Sequence, residues 1–174
     1  MLRPAEQRDV DSMLSWRNQQ ANREVSNNQH EISREEHHAW WARTQEDHSR
    51  RVLIFEVDDR PRGVVNFFDL DPESPPRTGG WGFFLDNETA GAEGTTMLLW
   101  FRVMNEAVGY AFDDLELDIL EAEVLADNEA VRMMNRRFRF TEGTPVDKQV
   151  DGRTISVVPI SLRREDRRPA RRSR

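Results

Sequence analysis

The stretch that decides the fold begins Gly80-Trp81-Gly82-Phe83-Phe84-Leu85, runs through Asp86-Asn87-Glu88-Thr89-Ala90-Gly91-Ala92-Glu93-Gly94, and continues Thr95-Thr96-Met97-Leu98-Leu99-Trp100-Phe101. The first segment is a short apolar strand and the second a small, polar loop. The third opens a long helix over about 95–112, in which Met97, Leu98, Phe101, Met104, Val108, Ala111 and Phe112 recur at helical spacing. A glycine-containing loop that opens a helix after a strand presents backbone N–H groups to an anion. No Gly-Lys-Ser/Thr follows, so the loop is not of the Walker type, and it lacks the G-x-G-x-x-G of dinucleotide folds. Spacing alone favours an ordinary strand–loop–helix connection.

Working outward, Leu117–Leu125 reads as a strand, and Asp127 or Asn128 caps a short helix with Val131, Met134 and Phe138 on one side. Residues 139–147 and 153–162 read as a hairpin across Asp151-Gly152. Upstream, residues 9–21 read as a helix with Asp9 as cap, and Ser33-Arg34-Glu35-Glu36 is a capping box for a second helix to about Glu46. Val52–Val57 and Gly63–Phe68 are strands joined by a turn over 58–61, and the prolines within 69–79 make that segment a loop. The expected architecture is a single mixed α/β domain over 1–162.

The chain has 174 residues, 37% hydrophobic and 33% charged, which suits one domain able to bury a core without staples. It has no cysteine, which excludes disulfides, thiolate zinc sites and a thiol nucleophile. Its four histidines form no H-E-x-x-H pair, so no metal is expected. Net charge is −7. Seven arginines and two acids fall in residues 163–174, leaving 18 basic and 30 acidic residues in the body. An acidic body argues against a nucleic-acid-binding surface, and the Arg-rich end is expected to be a disordered tail. No apolar run reaches membrane-spanning length, and the charged start lacks a signal-peptide core, so a cytoplasmic protein without a membrane partner is expected.

The 80–140 segment resembles the acetyl-CoA-binding core of the GNAT acetyltransferase superfamily. Two stretches carry the resemblance: Thr89-Ala90-Gly91-Ala92-Glu93-Gly94-Thr95-Thr96 before a Leu-containing helix, and Asn128-Glu129-Ala130-Val131-Arg132-Met133-Met134-Asn135-Arg136-Arg137-Phe138-Arg139-Phe140. Further segments stand in order: Leu14-Ser15-Trp16-Arg17-Asn18, Glu31 to His37 with Trp40, Gly63 to Phe67, Trp81 to Phe84, Glu121 to Leu125, and Lys148 with Asp151-Gly152. Together they resemble the pseudaminic acid pathway N-acetyltransferases, which acetylate the 4-amino group of a UDP-linked amino sugar.

The resemblance implies a GNAT domain whose mostly antiparallel sheet splays at a wedge for acetyl-CoA, the co-substrate. It implies that Phe83, Phe84 and Leu85 offer backbone to the pantetheine arm. Backbone around Gly91, Ala92, Gly94, Thr95 and Thr96 would hold the pyrophosphate, and Asn128 would contact the arm or cap its helix. Arg17, Asn18, His37, Trp40 and Trp81 become acceptor-side candidates, Arg17 for a diphosphate and the aromatic faces for stacking. Glu123 or His37 would take the amine's proton, and a backbone N–H near Leu85 would hold the oxyanion.

The sequence departs from the family pattern at four positions: Thr89 and Ala92 in the loop, Arg139 at a usual glycine, and Asn135 at the usual Tyr or His acid. Asn135 can donate a hydrogen bond but deliver no proton, and Arg139 suggests a different local path. The expected partner is a small-molecule amine, most directly that of a nucleotide-linked amino sugar. A protein N-terminus, a polyamine or an aminoglycoside stays open, as do a weakened acyl-CoA-binding protein and a homodimer.

Overall fold

The computed structural model describes residues 1–168. Eight strands form one sheet: β1 (Leu2–Pro4), β2 (Arg51–Val57), β3 (Arg60–Phe68), β4 (Thr78–Leu85), β5 (Ile119–Leu125), β6 (Thr141–Glu142), β7 (Val146–Val150) and β8 (Arg153–Arg163). Their order is β1-β2-β3-β4-β5-β8-β6, with β7 also on β8, and every pairing is antiparallel except β4 with β5. The mixed, mostly antiparallel sheet expected from the sequence is therefore present.

Strand alternation sorts the side chains onto two faces. On one, Val65, Phe67, Trp81, Leu85, Leu120 and Val124 form the main core with α5 (Thr96–Asp113). On the other, Ile54 and Val64 pack against Val10, Met13 and Trp16 of α1 (Val10–Asn18) and Trp41 of α3 (Arg34–Glu46). The Ser33 side chain caps α3 by accepting from Glu36 N–H at 3.1 Å, as its capping box predicts.

The single helix expected over 9–21 is broken. Gln19 leaves helical geometry (ψ 137°) between α1 and the short α2 (Gln20–Glu24). The cause is tertiary: the buried Gln19 carboxamide donates to Asp86 Oδ1 at 2.8 Å and accepts from Asn87 N–H at 2.7 Å. Asp9 does not cap α1 with its side chain. Its carboxylate accepts from Glu6 N–H and from Arg3 instead, and the Arg3 guanidinium is the main reason it stays below its ordinary pKa.

The loop expected over 86–93 is the short helix α4 (Asn87–Ala92), capped by Asp86, which accepts from Thr89 N–H. The glycine that the turn into α5 requires is Gly94 (φ +67°), not Gly91, which lies in the helix. The Asp58-Asp59 turn is tighter than expected, with both residues at positive φ and β3 starting at Arg60.

The expected tail over 163–174 also needs correcting. Arg163 ends β8, Arg164 Nε donates to Leu117 O at 3.0 Å, and Arg167 pairs with Asp113, both guanidiniums lying over Phe112. Residues 169–174 lie outside the described residues.

Candidate functional site

The parallel pairing of β4 with β5 is short: Thr78 with Ile119, Gly79 with Leu120, Gly80 with Glu121. Beyond that fork the two strands part, and a cleft of about 1250 Å³ opens between them. Its walls include Trp81–Leu85 of β4, Glu121–Val124 of β5, Thr96 and Trp100 of α5, and Asn128, Val131 and Asn135 at α6 (Glu129–Arg137).

Asp86 N–H donates to Arg62 O at 2.9 Å. Antiparallel bonding alternates from that pair, so with the observed register Phe84 and Gly82 exchange hydrogen bonds with Val64 and Asn66. The backbone groups of Phe83 and Leu85 are thereby turned to the open side. Leu85 C=O is taken by Asn22 Nδ2 at 2.8 Å, leaving Leu85 N–H and both Phe83 groups as the free edge. Phe84, expected to share this role, spends its backbone on β3.

At the mouth of the cleft, the amides expected to face an anion over 91–96 are mostly occupied. Glu93, Gly94 and Thr95 N–H donate to the carbonyls of Thr89, Gly91 and Ala90. The first α5 bond is Leu99 N–H to Thr95 O, and Thr95 places no side-chain cap. The open donors are therefore Thr96, Met97 and Leu98, at the positive end of an 18-residue helix. An open strand edge leading to an uncapped helix end fits an extended amide chain that terminates in phosphates.

Asn128 caps α6 by accepting from Val131 N–H at 3.2 Å, so only its NH2 is left for a ligand. Asn135 is buried, and its Nδ2 donates to Val131 O at 3.0 Å. A carbonyl demands a donor, which fixes the amide's orientation. Its Oδ1 is buried without a hydrogen-bond partner among the described residues. Asn135 thus presents an acceptor, and with one Nδ2 hydrogen spent on Val131 O a single amide N–H is left for the contact to sulfur expected of it.

Arg139 adopts φ +69°, the left-handed conformation that glycine would supply at this position. The local path is therefore the one a glycine would take, contrary to the expectation of a different one.

On the acceptor side the candidates separate. Arg17 lines the cleft; its Nη2 donates to Asn28 O at 2.7 Å, while Nη1 is buried with no partner. Burial, and then nearby Arg23, lower its pKa, but a guanidinium stays charged. Asn18 is structural, its amide exchanging two hydrogen bonds with the Ile32 backbone at 2.8 and 2.9 Å. His37 is buried outside the cleft, its ring N–H donating to Val10 O at 3.0 Å, and it stacks on Trp40 at 5.2 Å. Burial lowers the His37 pKa, so it is a neutral strut between α1 and α3. Trp40 packs beside it in the smaller core, also outside the cleft. Trp81 lines the cleft but belongs to the main core, stacked between Phe83 and Phe140.

Of the base candidates, Glu123 lines the cleft and is ion-paired with Lys148. Sequence reasoning missed Glu121, which sits at the fork and whose carboxylate makes no hydrogen bond or ion pair among the described residues. Period-2 alternation along β5 already placed it beside Glu123, on the face opposite Leu120 and Val124. Trp100 was missed too: it meets Phe83 edge-on at 5.1 Å, and a helix pattern gives no hint of that contact. No helix among the described residues is long and apolar enough to cross a membrane.

Comparison with known proteins agrees with this geometry. Residues 1–141 match the model of the acetyltransferase (GNAT) domain family. The acetyltransferase PseH of Campylobacter jejuni is 23% identical over 133 residues, covering 76% of this chain and 77% of that protein. Its crystal structure superposes with a TM-score of 0.63 at 16% identity, over 94% of this chain and 97% of that one. The spermidine N-acetyltransferase of Vibrio cholerae, solved with CoA and spermine, superposes with a TM-score of 0.78 at 17% identity, over 95% and 96% of the two chains. The resemblance read from the sequence is borne out by these matches, and the chain belongs to the GNAT family of acetyltransferases.

Proposed function

We propose that the protein transfers an acetyl group from acetyl-CoA to the primary amine of a small molecule that also carries an anionic group, a nucleotide-linked amino sugar being the best fit. The observation that carries this reading is Arg17. Its guanidinium lines the cleft with no carboxylate partner among the described residues, in an acidic protein where most of the cleft's other charges are paired. Glu123 is matched by Lys148, and Glu142 by Arg132 and Arg136. What remains are one cation, Arg17, and two carboxylates, Asp69 and, at the fork, Glu121, which together suit a ligand bearing both an anion and an amine.

In this reading acetyl-CoA, as co-substrate, supplies an activated thioester. Phe83 and Leu85 hold its extended arm by their open backbone groups, and Thr96, Met97 and Leu98 N–H meet its phosphates. Leu85 or Phe83 N–H is aimed into the wedge where an oxyanion would develop. Glu121, rather than the already paired Glu123, receives the acceptor's ammonium and takes its proton.

The test is CoA release against a nucleotide-linked amino sugar, spermidine, an aminoglycoside and an N-terminal peptide. The amino sugar is expected to give the highest kcat/KM. Arg17→Gln should raise its KM about tenfold or more, the size of a lost charge-assisted hydrogen bond, and leave kcat nearly unchanged. A preference for spermidine with no effect of Arg17→Gln would sink the reading. That outcome defines the second reading, a polyamine acceptor, which the Glu121 and Glu123 carboxylates and the fold shared with a spermidine acetyltransferase support.

A further inference from the structure

The β7–β8 hairpin carries the chain's single lysine, Lys148, and lays its ammonium on Glu123. Both residues line the cleft. Glu123 lies two residues beyond the fork, on the part of β5 that faces the open edge of β4 across the wedge. The other 24 basic residues are arginines, whose guanidinium is not an amine nucleophile. A primary amine, a carboxylate able to take its proton, and the strand edge suited to a thioester arm thus share one cavity.

We propose that Lys148 is an acetyl acceptor in cis: the enzyme modifies its own lysine when acetyl-CoA is bound and no other amine competes. This rests on the reading above that acetyl-CoA occupies the cleft. Glu123 removes one proton from the ε-ammonium and passes it to solvent. The freed Nζ pair bonds to the thioester carbonyl carbon. The C–S bond then breaks with its electron pair leaving on the CoA sulfur, and the second departing Nζ proton is balanced by the one the thiolate takes up. The products are N-acetyl-Lys148 and CoA. Acetylation removes the lysine charge, so Glu123 is released and stands beside Glu121 as a second free carboxylate on β5.

The experiment incubates the full chain with acetyl-CoA alone and follows the Lys148 and Met1 peptides by mass spectrometry. The Met1 amine is the internal control: it is exposed, paired with Glu106 away from the cleft, and as an α-amine it is the more reactive of the two in spontaneous acetylation. Lys148 is expected to gain one acetyl group about tenfold or more faster than Met1, a margin within reach of proximity. The rate per chain should not change on dilution, unfolding in denaturant should remove the preference, and the Lys148→Arg protein should gain no acetyl in that peptide. Met1 labelled ahead of Lys148, or a rate that rises with protein concentration, overturns the proposal. So does an unlabelled Lys148 in a protein that acetylates small amines, an outcome that leaves the proposed function standing. Failure to bind acetyl-CoA in calorimetry fells both.

Discussion

The Asn135 amide donates to the Val131 carbonyl oxygen, one helical turn back, at 3.0 Å. At this position the family usually carries a proton donor; here one of the two amide N–H groups is spent within α6, neither can deliver a proton, and an acceptor oxygen is left buried at the cleft. Asn135→Ala is therefore expected to lower kcat by no more than about threefold, against the 100-fold or greater loss that follows removal of a general acid. Steady-state CoA release measures it, and a loss above about 50-fold would show that the side chain takes part in the chemistry.

Arg139 holds a left-handed conformation with little in return, since Nη1 reaches only Asp166 O at 3.4 Å. A non-glycine residue there costs about 1–2 kcal/mol, partly offset by the extra freedom glycine brings to the unfolded chain. Arg139→Gly should raise stability by about 0.5–1 kcal/mol, or roughly 1–3 °C in melting temperature. A melting temperature unchanged or lowered in calorimetry would contradict the strain.

His37 and Val10 give a pH-dependent test. Burial lowers the His37 pKa below its ordinary value near 6.5, so the folded protein binds its proton less readily than the unfolded chain. The associated stability is complete above about pH 6.5 and is lost as pH falls from there toward the folded pKa. His30 acts oppositely: Glu36 and then Asp151 raise its pKa, so its contribution is present at low pH and fades as pH rises. The comparison of wild type with His37→Gln isolates the first effect, because His30 is common to both. The variant should lose the decline specific to His37 below pH 6.5 while keeping its acetyl transfer rate. A large fall in kcat with the fold intact would return His37 to the active site.

These cases mark what local sequence can reveal. The Ser33 cap, the Asn128 cap and the C-terminal half of the α5 stripe (Met104, Val108, Ala111, Phe112) depend on neighbours within a turn or two, and the patterns found them; Met97 and Leu98, expected in that stripe, are exposed, and Leu99 and Val103 are buried instead. The fork depends on where the β4–β5 pairing stops, and only the family resemblance pointed to it. The break at Gln19 comes from Asp86 and Asn87, nearly seventy positions away, so nothing in residues 9–21 announces it. The same holds for the site. His37 looked chemical because histidine can be, yet its partner is a backbone carbonyl on another helix. Glu121 and Glu123 look identical on a strand, and only the distant Lys148 distinguishes them.

Gly80 and Gly82 stand two residues apart on one face of β4 and should respond to substitution in opposite ways. A Cβ on Gly80 would lie 2.3 Å from the Phe68 ring, so Gly80→Ala forces the ring or the strand to move, at a cost of about 1–3 kcal/mol. A Cβ on Gly82 meets nothing within 4 Å, and Gly82 lines the cleft on the α1 side, away from the α5 face that carries Trp81 and Phe83. Gly82→Leu should fold with a melting temperature close to wild type and bind CoA normally, yet raise the acceptor's KM by about tenfold or more, since its side chain fills space left for the amine substrate. Thermal denaturation, CoA calorimetry and acceptor kinetics on the two variants check the contrast. If Gly82→Leu weakened CoA instead of the acceptor, the two sides of the wedge would have to be exchanged.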